Sequence, residues 1–206
     1  MGGLQLMRRL VAGESHVDSA ALRSGQVATD EWPAVWDGLE RLTDLPLWID
    51  STPNATLAHL HATAQALQLH HGLDVLLIDY LQLIQTKGHF HTRTREVDHI
   101  SGQLKALARQ MDVPVLAASQ LNRSLEHRQD KRPVLADLRD SGRLEQDADV
   151  VSFLHRPGLY DPGTPQNLTE VIVAKHRHGP TGAVDVLFQP RWQRFVGAAP
   201  QEVAHA

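Results

Sequence analysis

The sequence predicts an α/β protein: a mostly parallel sheet flanked by helices, with an antiparallel hairpin near the carboxyl end. Three observations carry that expectation. Residues 75–78 form a continuous apolar run with β-branched members, preceded by His71-Gly72, which reads as a strand buried on both faces. Residues 96–111 carry Val97, Ile100, Leu104, Leu107 and Met111 on one helical stripe and lead into a second apolar run, residues 113–118. Residues 170–174 and 183–188 are strand-like and are joined by a short Gly/Pro-containing turn, as in an antiparallel hairpin.

The remaining elements follow in order. Leu4, Leu6, Met7 and Leu10 crowd a short helix that also carries Arg8 and Arg9 and is closed by Gly13. A second short helix is expected over residues 18–23, ended by Gly25. Thr29 has the chemistry of an N-cap, with Asp30 and Glu31 in the first turn, where carboxylates suit the helix dipole. Trp32, Val35 or Trp36, Leu39 and Leu42 then recur at helical spacing and form a core stripe. Residues 45–50 alternate around Leu47 and Ile49 and read as a strand. Thr56 caps a helix whose buried stripe is Leu57, Leu60, Ala64 and Leu67. His59, His61, His70 and His71 lie on or just after it and read as a solvated face, because no acid or Cys completes a metal shell. Pro114 sits at the start of its strand, where a missing N–H does least harm. A long polar segment, 124–146, precedes a third apolar strand at 149–154. Residues 192–195 add a last short strand, and the tail from residue 198 is expected to be frayed.

The chain has 206 residues, enough for one sizeable α/β domain. A net charge of −4 gives no global basic field, so a nucleic-acid partner would have to be met by local loops. Cysteine is absent, which excludes a disulfide framework and thiolate metal ligands and fits the cytoplasm. No apolar run approaches the roughly 20 residues of a membrane helix. The amino terminus has neither a secretory nor a myristoylation pattern.

Two stretches carry chemistry on their own. Asp79 ends the first inner strand, where ligands bind in α/β proteins; it either holds a magnesium ion on a phosphate or merely caps the next turn. Residues 85–95 hold Lys87, Arg93 and Arg95 with Phe90 and no acid. That composition suits a phosphate backbone with a stacked base, or else a solvated loop.

Three motifs then occur in one order: Ile78-Asp79-Tyr80-Leu81-Gln82-Leu83, then Ser119-Gln120-Leu121-Asn122-Arg123, then Asp137-Leu138-Arg139-Asp140-Ser141-Gly142 running on to Asp149. Together with Lys175-His176-Arg177-His178-Gly179-Pro180 and the Trp192-Gln193-Arg194-Phe195 ending, they closely resemble the carboxy-terminal motor domain of the DnaB family of replicative DNA helicases, a RecA-like fold. The resemblance spans residues 1–197. It implies ATP-driven unwinding of duplex DNA by a homohexameric ring moving on single-stranded DNA, with ATP and Mg2+ as cofactors and with primase and a helicase loader as further partners.

The resemblance also implies roles. Asp79 is the Walker B acid that organises Mg2+. Gln120 is the polar sensor beside the γ-phosphate. Lys175 and Arg177 are the finger pair given to a neighbour's ATP, and Arg9 matches an arginine near the nucleotide. Arg139, Asp140 and Gly142 form the channel loop that grips single-stranded DNA; the family usually has Glu at the position of Asp140, a longer reach. Lys87, Arg93 and Arg95 fall in the family's other channel-facing loop.

No Gly-x-x-x-x-Gly-Lys-Ser/Thr string occurs. That string cradles the phosphates on backbone amides. In the family it lies upstream of the position matched by Met1, along with the first core strand and the acid that activates water. The expectation is a truncated, split or mis-started helicase chain with poor ATP turnover of its own. An intein-interrupted gene would give a similar cut. The competing expectation, from another functional class, is a non-catalytic single-stranded-DNA-binding or ring-docking subunit. A recombinase-type RecA relative is a third reading, disfavoured by the Asp-Tyr-Leu-Gln-Leu and Ser-Gln-Leu-Asn-Arg strings.

Overall fold

The computed structural model describes residues 2–86, 88 and 90–198, without the side chains of residues 123–124 and 139–142. The chain divides into two compact units: Met1–Ser51 with Arg156–Val171 and Val184–Ala206, and Thr52–His155 with Ile172–Ala183.

In the first unit, helices α1 (Gly3–Ser15), α2 (Ser19–Ser24) and α3 (Trp32–Thr43) enclose a small core of Val11, Val17, Val35 and Leu42. Asp18 caps α2 by accepting from the Ala20 N–H, and Gly25 closes it in the left-handed region, φ 75°. Val35, not Trp36, is the inward residue of α3; Trp36 is 62% exposed. Thr29 opens a 3-10 turn ahead of α3, and the Glu31 carboxylate accepts from the Ala28 N–H at 3.2 Å. Residues 45–50 form no strand, contrary to the alternating pattern. Pro46 removes a ladder donor, and Leu45, Leu47 and Trp48 all stay more than two-fifths exposed, so no facing surface rewards pairing.

In the second unit, α4 (Leu57–His71) and α5 (Arg93–Met111) pack on a two-stranded parallel sheet, β1 (Leu76–Ile78) and β2 (Val115–Ala117). Thr56 caps α4 by accepting from the His59 N–H, and Thr92 caps α5 by accepting from the Arg95 N–H. The expected α5 stripe is wholly buried, and with Ala64, Ile78, Leu81 and Val113 it makes the core. Of the α4 stripe, Ala64 is fully buried while Leu57 and Leu60 are partly so. The strands are shorter than the apolar runs that encode them, because Asp79 ends β1 and a 3-10 turn, Leu81–Leu83, follows. Burial on both faces is not observed: Leu77 and its cross-strand partner Leu116 are 60% and 64% exposed. Helix α5 covers the other face, and no element covers this one among the described residues.

The polar segment after β2 is not a plain loop. It forms a 3-10 helix, Leu135–Ser141, and a short helix α6 (Gly142–Asp147). Buried Asp137 pins it, accepting from Arg128 (3.0 and 3.1 Å) and from the Val134 N–H. A four-stranded sheet follows in the order β3 (Val150–His155), β4 (Leu168–His176), β5 (Gly182–Gln189), β6 (Arg194–Gly197). β5 and β6 are antiparallel, with Phe188 opposite Phe195 and ring centroids 4.9 Å apart.

Candidate functional site

β1 and β2 run parallel in the register Leu76↔Val115, Leu77↔Leu116, Ile78↔Ala117, so their carboxyl ends emerge side by side. The pairing continues past the strands: the Ala118 N–H donates to the Ile78 carbonyl (2.9 Å), and the Leu81 N–H donates to the Ala118 carbonyl (3.0 Å). Asp79 therefore leaves one strand beside the point where Ser119 and Gln120 leave the other. The Asp79–Tyr80 peptide is cis. The amide of Gln82 spans the gap. Its Nε2 donates to Ser119 Oγ at 3.0 Å, and its Oε1 accepts from the Gln120 N–H at 3.3 Å. The carboxylate of Asp79 and the side-chain amide of Gln120 are exposed and make no side-chain bond among the described residues. Both are open to a ligand.

Beside this edge, the start of α5 is tied to the turn after β1. Arg93 donates to the Gln82 carbonyl and pairs with Glu96, and the Thr86 hydroxyl donates to Glu96 at 2.9 Å. A cavity of about 330 Å³ opens here, lined by Asn54, Gln82, Ile84, Thr86, Arg93 and Glu96 among others. Partial burial pushes the Glu96 carboxyl up, but the Thr86 hydroxyl and the Arg93 guanidinium outweigh it and hold it below the ordinary glutamate value. Arg93 is thus committed within the chain. Arg95 is exposed with no side-chain partner among the described residues, and Lys87 lies outside the described residues.

Lys175 lies near the end of β4. Its ammonium donates to the carbonyls of Glu145, Gln146 and Ala148 (2.8 Å for the last), and so caps the carboxyl end of α6. Arg177 pairs with Asp149 at 3.0 Å and donates to the Gln146 carbonyl. Lys105 of α5 also binds Asp149. The Lys105 hydrogen bond comes first in holding Asp149 below the ordinary carboxylate range; burial opposes it, and the charges of Lys105, Arg177 and Arg109 add to the lowering. Arg139, Asp140 and Gly142 fall where the 3-10 helix passes into α6, and their side chains lie outside the described residues. Arg9 lies on the exposed side of α1 in the other unit. The structure therefore gathers Asp79 and Gln120 at one edge and Lys175 and Arg177 around α6. Sequence reasoning missed Gln82, although it stands in a quoted motif: a polar residue three places after the acid, inside an otherwise apolar run, was the available signal.

One carboxylate does not make a resident metal site, and the described residues include no group of three or more His, Cys, Asp or Glu placed to hold a metal ion. Asp79 fits a hard cation that arrives with its own oxygen ligands, such as Mg2+ on a nucleotide. Short parallel strands backed by helices, followed by antiparallel strands, fit a RecA-like ATPase domain, and solved structures show that fold. The chain matches one described as an ATPase domain with a TM-score of 0.91 and 35% identity, over 97% of this chain and 72% of that one. It matches a DnaB-like replicative helicase, described together with its interactions with primase, at 0.91 and 34%, over 97% and 49%. Among curated relatives it is 41% identical to the replicative DNA helicase DnaC of Bacillus subtilis and 43% identical to the replicative DNA helicase DnaB of Leifsonia xyli, over 95% and 97% of its own length. It spans about 44% of the length of each. The family model for the DnaB-like helicase C terminal domain matches residues 1–197. The chain belongs to that family.

Proposed function

We propose that these residues are part of the ATP-driven motor of a replicative DNA helicase that moves along single-stranded DNA as a ring. The observation that carries the reading is the shared edge at which Asp79 and Gln120 leave neighbouring parallel strands. Asp79 would hold the Mg2+ that accompanies ATP, which would supply positive charge against the phosphates when bound. Gln120 presents an amide able to donate to a phosphate oxygen or to orient a water. Lys175 and Arg177 bring positive charge to the ATP of the next subunit, where a guanidinium offsets charge developing on the transferring group. Arg9 serves the nucleotide as well. Lys87, Arg93, Arg95, Arg139, Asp140 and Gly142 serve the DNA, Arg93 indirectly, by fixing the segment that carries the others of its loop. Primase and a helicase loader are the further partners, and the cytoplasm is the compartment of that work.

A second reading is a single-stranded-DNA-binding or ring-docking subunit that lends Lys175 and Arg177 to the ATP site of a neighbour; residues 1–206 hold no P-loop string. One experiment separates the two. The chain is assayed alone and fused behind a segment that carries a P-loop. Alone it shows no micromolar ATP affinity in filter binding. Fused, it hydrolyses ATP faster with single-stranded DNA, and Asp79→Asn lowers turnover roughly a hundredfold or more. A fused Asp79→Asn protein at the unmutated rate would sink the motor reading.

A further inference from the structure

We infer that Gln82 is the positioning residue of this edge: one side chain orients the end of β2, and the same residue's carbonyl anchors the basic segment that leads into α5. The inference rests on the reading of Gln120 as the ligand-facing amide. That amide makes no side-chain bond among the described residues, so its direction is set by its backbone. The Gln120 N–H is held by Gln82 Oε1 at 3.3 Å, and the preceding Ser119 hydroxyl by Gln82 Nε2 at 3.0 Å. No regular structure holds residues 118–122. A side chain that must meet a ligand at a fixed place needs such support from residues that do not touch the ligand.

The carbonyl of the same residue accepts from Arg93, whose guanidinium pairs with Glu96, which in turn accepts from Thr86. The end of β2 and the entrance of α5 thus share one anchor in the Leu81–Leu83 turn. Glutamine suits the position for a definite reason. It offers a donor and an acceptor on one planar group, at the reach needed to cross between two strand ends. Leucine keeps the bulk and loses both bonds. Asparagine is one methylene short. Glutamate keeps the acceptor for the Gln120 N–H, and the Ser119 hydroxyl can turn to donate to it.

The test is amide hydrogen exchange, followed by NMR, on the full chain and its Gln82 variants. The Ala118 N–H, held by the Ile78 carbonyl at 2.9 Å, serves as the internal reference. In Gln82→Leu the Gln120 amide is expected to exchange roughly five- to tenfold faster, the loss of one ordinary hydrogen bond, with Ala118 unchanged. Gln82→Glu is expected to restore protection to within about twofold. If Gln82→Leu does not fold, Gln82→Asn against Gln82→Glu reads the same difference. Unchanged exchange at Gln120, or an equal rise at Ala118, would overturn the inference. The fused ATPase isolates the reading beneath it: if Gln120→Ala leaves turnover intact while the exchange results hold, Gln82 still positions the strand end and the role given to Gln120 fails.

Discussion

Three backbone carbonyls converge on the Lys175 ammonium at the carboxyl end of α6, and an ammonium has three donors to give. The residue that family resemblance assigns to a neighbour's ATP is therefore also the cap of this chain's own helix. The two uses compete for the same protons. Removing the cap takes the charged partner from the Glu145 and Ala148 carbonyls at the end of a six-residue helix, while the Gln146 carbonyl keeps Arg177. Lys175→Met is expected to cost about 1–3 kcal/mol, read as a lower urea midpoint. An unchanged midpoint would mean that the cap contributes nothing to stability. At this scale, the residues legible in the sequence were those whose meaning is carried by a strand end. Asp79 follows an apolar run and could be found alone, whereas Gln120 was singled out through the family resemblance. Gln82 works across two strands, and the pairing of β1 with β2 that brings it within reach is not written in either segment.

Helices were legible where an apolar stripe ran for several turns. The α5 stripe holds from Val97 to Met111, and every member is buried. Its start was misread by three residues, because Arg93 and Arg95 look like loop cations; Thr92 caps the turn, and Glu96 supplies the first-turn acid that offsets them at the positive end of the helix dipole. Residues 45–50 failed for the opposite reason, since alternation over a few residues says nothing about whether a partner surface exists. Close approach of elements is equally hidden. Gly38 of α3 lies where an added Cβ would stand 3.1 Å from both the backbone N and the Cβ of Ser15. Ser15 cannot retreat easily, because its hydroxyl donates to the Val11 carbonyl at 2.7 Å. Gly38→Val is expected to force α1 and α3 apart and to cost roughly 1–3 kcal/mol, seen as a lower melting temperature. A variant that melts with the unmutated protein would show that the packing of α1 on α3 gives way freely.

For the whole molecule, the sheet is the informative object. β2 has no second neighbour, and β3 is the terminal strand of its own sheet, among the described residues. Leu77 and Leu116 leave an apolar row bare, and Val150 and Leu154 of β3 are 50% and 64% exposed. Open strand edges with apolar rows attract pairing partners. The α/β class and the carboxyl-terminal antiparallel strands were legible because they depend on local runs and short turns. The division into two sheets was not, because strand neighbours are chosen by what fills the space between them.

The most direct measurement puts manganese in place of magnesium on ATP and records paramagnetic broadening in the 15N spectrum of the chain fused behind a P-loop segment. Asp79 and Gln120 resonances should broaden together at substoichiometric Mn2+–ATP, with the Ala118 resonance between them. Broadening at one of the two while the other stays sharp would contradict a common triphosphate site.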